Sequence, residues 1–116
     1  MQLGLETEEV TQGVYVVTPA GDLDLYTCPE LEEELLRVVS TGARHVVVDL
    51  SLTTFADSTA LGVLLRVGKR LGESEGHLSV VCPDETILKV FEVTGLHRVF
   101  DMHASRVEAL GRGESS

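Results

Sequence analysis

The sequence predicts an α/β fold built on a mixed sheet, and three observations lead there. The run His45-Val46-Val47-Val48-Asp49-Leu50 is apolar and β-branched, as suits a strand buried on both faces. After a short polar loop the pattern changes to helical spacing, with Leu61, Leu64, Leu65 and Leu71 on one stripe. Strands and helices then alternate, downstream of an initial strand pair, which implies a sheet with parallel later strands and helices packed against it. We expect four to five strands and about four helices in one domain over residues 1–111, followed by a disordered tail at 112–116.

In chain order, residues 3–10 and 13–19 read as two strands meeting near Gln12-Gly13, and Pro19-Ala20-Gly21 ends their pairing. Thr27 opens the first helix in capping-box spacing with Glu30, and Pro29 falls in the first turn, where a missing N–H matters little. Leu31, Leu35, Val38 and Val39 form its buried stripe, with Glu32, Glu33 and Glu34 mostly on the solvated side. Thr41-Gly42-Ala43 closes that helix and leads into the central strand at 45–50. After the second helix, residues 72–76 turn into a short buried strand, Leu78-Ser79-Val80-Val81-Cys82. Asp84 caps a third helix that faces Ile87, Leu88 and Phe91 inward and stops at Gly95. A strand near 98–102 and a helix at about 104–111 follow.

Composition excludes several classes of function. The 116 residues suffice for one core and leave no material for a second domain. Hydrophobic residues make up 43% but aromatics only 4%, with no Trp, so the core is aliphatic and a base-stacking surface for nucleic acid is disfavoured. Nineteen acidic residues against nine basic give a net charge of -10, which repels phosphate backbones and anionic membranes and suits a basic protein partner. No apolar run approaches the ~20 residues of a membrane span. Met1-Gln2-Leu3-Gly4 lacks the cationic and apolar regions of a signal peptide, so the expected setting is the cytoplasm. Cys28 and Cys82 lie far apart outside any CxxC and read as reduced structural thiols. His45, His77, His97 and His103 are dispersed without metal-ligand spacing, and no metal or cofactor is expected.

Chemistry concentrates in the loop after the central strand. Asp57, Ser58 and Thr59 reach the first turn of the second helix, where backbone N–H groups lack intrahelical partners and the helix dipole is positive. Ser58 is there a candidate phosphate acceptor. The same triplet is also what a plain helix cap looks like, and spacing alone does not separate the two. An enzymatic reading has less behind it. A hydrolase elbow needs GxSxG, whereas this chain has Phe55-Ala56-Asp57-Ser58-Thr59-Ala60, and the GxxxxGK[ST] and GxGxxG patterns are missing too. No catalysis is expected.

Resemblance favours the acceptor. The segment from Asp57 to Leu65 resembles the signature of the STAS family, specifically of bacterial anti-sigma factor antagonists. Gly21-Asp22-Leu23-Asp24 resembles the family's Gly-Glu-Leu-Asp element. The stretch from Phe91 to Phe100, with Ala104-Ser105 and Glu108-Ala109-Leu110, resembles its C-terminal third. Ala60 stands where glycine is frequent and Asp22 where glutamate is common, and neither removes the acceptor.

The resemblance implies a single STAS domain working in a partner switch. The unphosphorylated protein binds an anti-sigma factor serine kinase of the GHKL type and frees a sigma factor. The kinase then uses its own ATP and Mg²⁺ to phosphorylate Ser58, which ends the complex, and a PP2C-type phosphatase resets it. Ser58 is the acceptor on this reading and Thr59 a secondary one. Asp22, Asp24, Asp57, Ser58, Thr59, Leu61 and Gly62 border the partner contact. Asp24 reads equally as a turn carboxylate, and Leu61 as a core residue. The free protein is expected to be a monomer. A rival implication is a constitutive STAS subunit of a transporter ATPase or a stress-signalling assembly, using the same helix without turnover.

Overall fold

A computed structural model describes residues 3–114, with side chains as far as residue 111. The strands are β1 (Gly4–Thr11), β2 (Val14–Leu23), β3 (His45–Asp49), β4 (Thr53–Ala56), β5 (His77–Val81) and β6 (Asp101–His103). The helices are α1 (Cys28–Ser40), α2 (Ser58–Glu73), α3 (Glu85–Thr94) and α4 (Arg106–Glu114), with a 3-10 turn at Leu96–Arg98. The sheet runs β1-β2-β3-β5-β6, with β4 beside the far half of β2. β1 is antiparallel to β2, and every other pairing is parallel.

The sheet thus has six strands rather than four to five. Pairing of β1 with β2 ends at Gly4 opposite Ala20, as the Pro19-Ala20-Gly21 signal implied, but β2 itself runs on and sets Asp22 opposite Phe55 and Leu23 opposite Ala56. The segment read as a polar loop is therefore partly strand. Thr53 and Thr54 are β-branched and Phe55 is aromatic, which suits a pleated surface, and buried Thr53 donates to Pro19 O at 3.3 Å.

Alternation along the central strands divides the core between two faces. Val46, Val48 and Val80 pack with Leu31, Leu35, Leu64 and Leu71 under α1 and α2. Val16, Val47 and Val81 point the other way and meet Ala109 of α4. Both faces are covered, which is why the β-branched run shows no polar alternation. Arg106 anchors α4 by donating from Nε to Asp49 Oδ2 and from Nη2 to Thr18 Oγ1, the latter at 2.8 Å. Burial works to raise the Asp49 pKa, but hydrogen bonds from Arg106 and Ser51 and the Arg106 charge outweigh it, and the carboxyl is held below its ordinary value.

Four local expectations change. Leu65 is 41% exposed, because it lies about 100° around the helix from Leu64; Val63 and Val67 complete the stripe instead. The Thr27–Glu30 capping box does not form. Thr27 Oγ1 turns back, donating to Asp22 O at 2.7 Å and accepting from Asp24 N at 3.0 Å. Glu32 and Glu34 are drawn into ion pairs with Arg66 and Arg37, so only part of the acidic run is simply solvated. The last helix extends through Glu114, beyond the boundary expected at 111, while residues 115–116 of the expected tail lie outside the described residues. The third helix follows its signals: Asp84 accepts from Thr86 N and Ile87 N, and Gly95 ends it at φ 77, a conformation that glycine adopts without strain.

Candidate functional site

β4 delivers the chain to α2 beside the end of β2, where Asp57 N donates to Leu23 O at 3.2 Å. Asp57 is extended (φ -117, ψ -170) and its Oδ1 accepts the Thr59 N–H at 2.8 Å. Capping of α2 therefore falls to Asp57. Ser58 occupies the first helical position and is exposed, Thr59 is half-buried, and Ala60 is buried. Of the two hydroxyl-bearing residues, Ser58 is the more exposed.

The turn between β2 and α1 lies alongside. Asp24 Oδ1 accepts from Tyr26 N at 2.9 Å and Thr27 N at 3.1 Å, so this carboxylate organises its own turn, one of the two roles left open by the sequence. Asp22 Oδ1 accepts from Thr54 Oγ1 at 2.6 Å and ties β2 to β4. Leu61 is a correction: only 3% exposed, it belongs to the core and presents no surface to a partner. Gly62 is half-buried, and a Cβ there would touch Arg66 Nη1 at 3.4 Å.

Sequence reasoning missed the apolar component of this end. Leu25, Tyr26 and Phe55 are exposed, Tyr26 by 85%, on the two segments that flank Ser58. Apolar residues among polar neighbours, Leu25-Tyr26 between Asp24 and Thr27 and Phe55 after Thr53-Thr54, were the available signal. Exposed hydrophobic groups near an exposed hydroxyl suit a protein contact. The site thus joins a reachable hydroxyl, three aspartates and an apolar rim.

The sequence profile of the STAS domain matches residues 7–109. This chain belongs to the STAS domain family. An anti-sigma-B factor antagonist of Staphylococcus aureus is 37% identical over 95 residues, covering 81% of this chain and 88% of that protein. The crystal structure of an anti-sigma factor antagonist from Mycobacterium paratuberculosis superposes with a TM-score of 0.87 at 29% identity, covering 95% of this chain and 92% of that one. The Bacillus cell fate determinant SpoIIAA in its phosphorylated form gives a TM-score of 0.74 at 25% identity, covering 94% and 98%. These likenesses bear out the fold inferred from the motifs.

The opposite end of the STAS sheet holds a second polar cluster with no counterpart in the sequence reading. Ser79 Oγ donates to Asp101 Oδ2 at 2.8 Å and meets His45 Nε2 at 2.8 Å. Because its single proton goes to Asp101, Ser79 accepts from His45, which fixes the Nε2–H tautomer of that ring. His77 Nε2 donates to Asp101 Oδ2 at 2.8 Å, and His103 Nε2 lies 3.0 Å from Oδ1. Burial works to raise the Asp101 pKa, yet His77, His103 and Ser79 stabilise its charged form and hold it at about 2. The strand register makes this cluster, pairing His45 with His77 and Ser79 with Asp101. Among the described residues, no group of His, Cys, Asp and Glu is arranged to hold a metal ion.

Both thiols of the STAS domain are buried and free. Burial, then the charges of Asp57, Asp24 and Glu32, pushes Cys28 up to about 11; burial and Asp84 do the same to Cys82. Both remain protonated at neutral pH, which removes the nucleophilic thiolate. Among the described residues, no helix is long and apolar enough to cross a membrane.

Proposed function

We propose that this STAS domain is an anti-sigma factor antagonist switched at Ser58. In its unphosphorylated form it binds a GHKL-type anti-sigma factor serine kinase in the cytoplasm and so frees a sigma factor. Transfer of the γ-phosphate of the kinase's Mg²⁺-bound ATP to the Ser58 oxygen ends that interaction, and hydrolysis by a PP2C-type phosphatase restores it. The observation that carries this reading is the exposed Ser58, with the cap already supplied by Asp57, beside the exposed Leu25, Tyr26 and Phe55.

Charge explains how one phosphate would act. It adds about -1.5 to -2 at neutral pH. Asp57 already occupies the Thr59 N–H, so the helix N-terminus offsets only part of that charge in the free protein. In a complex, the phosphate would meet Asp57, Asp22 and Asp24 under a partner that excludes water, where repulsion and desolvation both grow. A differential of about 2.8 kcal/mol lowers affinity a hundredfold without refolding. Thr59 is a weaker acceptor because it is half-buried.

The test is to incubate the protein with its candidate GHKL kinase and Mg²⁺-ATP, map the phosphosite by mass spectrometry, and measure kinase affinity before and after. The expected result is phosphate on Ser58 and an affinity loss of at least tenfold, about 1.4 kcal/mol. Phosphate at another residue, or unchanged affinity once Ser58 is modified, overturns the proposal.

A further inference from the structure

A cavity of about 610 Å³ opens between the C-terminal half of α2 and the β5–β6 edge of the sheet. It is separate from the Ser58 end. Leu65 and Lys69 lie on its rim, seven and eleven residues beyond Ser58 and so about 10 and 16 Å further along α2. The volume falls in the range of about 300–1,000 Å³ typical of small-molecule sites. The walls combine two chemistries. Leu65 and Val99 expose apolar surface at the mouth, and Lys69, His77 and Asp101 supply polar groups.

The sign of the ligand charge follows from how these groups are engaged. Asp101 already receives hydrogen bonds from Ser79 and His77 and lies against His103, so its carboxylate is committed within the protein. Lys69 has no carboxylate within ion-pair distance among the described residues. His77 is held in place by its bond to Asp101 and by the His45 ring, with centroids 5.3 Å apart, yet its side chain is 42% exposed. One available cation, one fixed polar ring and apolar flanks match an anion carried on an apolar body. We propose that this cleft binds a small organic monoanion, a carboxylate or sulfonate on an aromatic or branched aliphatic frame. The anion pairs with Lys69, and the frame lies against Leu65 and Val99. With a net charge of -10 on the protein, long-range attraction does not assist, so affinity depends on Lys69 itself.

Gly68 provides a blocking variant. A Cβ at this helical position would sit 3.4 Å from Leu78 Cδ2, in van der Waals contact, and a longer side chain continues into the cleft. Methionine is also a better helix former than glycine, so Gly68→Met is expected to retain the fold.

Naphthalene sulfonate serves as the probe, titrated into the full chain and followed by backbone amide NMR shifts. Expected are shifts at Leu65, Gly68, Lys69 and His77, affinity about tenfold weaker in Lys69→Gln, loss of binding in Gly68→Met at an unchanged or raised Tm, and no shifts at these residues with inorganic phosphate alone. Shifts confined to Leu25, Tyr26 and Phe55, no shifts up to the probe's solubility limit, or equal affinities in Lys69→Gln and the parent would overturn the assignment.

Discussion

Ser58 and Ser79 both have aspartate neighbours, but one faces water and the other is sealed in. Ser79 is 0% exposed and spends its proton on Asp101 while accepting from His45, so both bonds stay inside the fold. Ser58 is exposed, and Asp57 beside it is turned to the Thr59 N–H. The serine richer in partners is the one no other protein can reach. A switch residue needs the opposite arrangement, a hydroxyl relieved of structural duty by its neighbour, so that modification changes the surface and leaves the fold intact.

The Ser79 cluster should show the largest effects on stability. Ser79→Ala leaves the His45 Nε2–H without its acceptor and removes a donor from Asp101, and should cost about 1–3 kcal/mol. A urea midpoint equal to the parent's would break the comparison, since Ser79 would then be no more structural than Ser58. Acid should act on the same cluster. The folded-state pKa of Asp101, about 2, lies below its ordinary 3.8, so the unfolded chain takes up the proton first. The resulting stability, about 2 kcal/mol, is present above pH 3.8 and is lost as pH falls toward 2. Asp49 is shifted in the same direction, so the measurement that isolates Asp101 is a shallower pH profile in Asp101→Asn than in the parent.

How legible each end was depends on how local its signals are. Asp84 and Gly95 bound α3 as their sequence positions implied, because a cap is settled within a few residues. The Asp57-Ser58-Thr59 triplet likewise marked the start of α2, with Asp57 placed to cap it, and the structure has Asp57 take the Thr59 N–H. Thr27 carried an equally good capping signal, and the preceding turn overruled it: Asp22 O and Asp24 N claim its hydroxyl. β4 was hidden because its partner residues, Gly21 to Leu23, are about thirty positions upstream. The histidine cluster was hidden for the same reason. His45 and His77 meet only once two parallel strands are set in register, and four scattered histidines do not announce that pairing.

At the open end, the cap and the switch should separate by mutation. Asp57→Ala removes the acceptor of the Thr59 N–H and should cost about 0.5–2 kcal/mol, read as a drop in Tm. It should leave a Ser58 that the kinase still phosphorylates. A Tm equal to the parent's would return the cap to Ser58 and remove the basis for calling its hydroxyl spare.

Ser58→Ala should then have the smallest effect on stability and the largest on signalling. Alanine retains the helical backbone, Asp57 still caps, and an exposed hydroxyl is lost, so the change should stay within about 0.5 kcal/mol. A plain-cap role for Ser58 would instead cost about 0.5–2 kcal/mol and leave signalling untouched. The variant should bind the kinase as tightly as the parent does and accept no phosphate, holding the sigma factor free even when ATP is present. Ser58→Asp should bind more weakly than the parent but more tightly than the phosphoprotein, because one carboxylate carries less charge than a phosphate. Tm, phosphate incorporation and kinase affinity measured on one preparation of each variant decide the matter, and phosphate transferred to Thr59 in Ser58→Ala would show that half-burial does not protect the second hydroxyl.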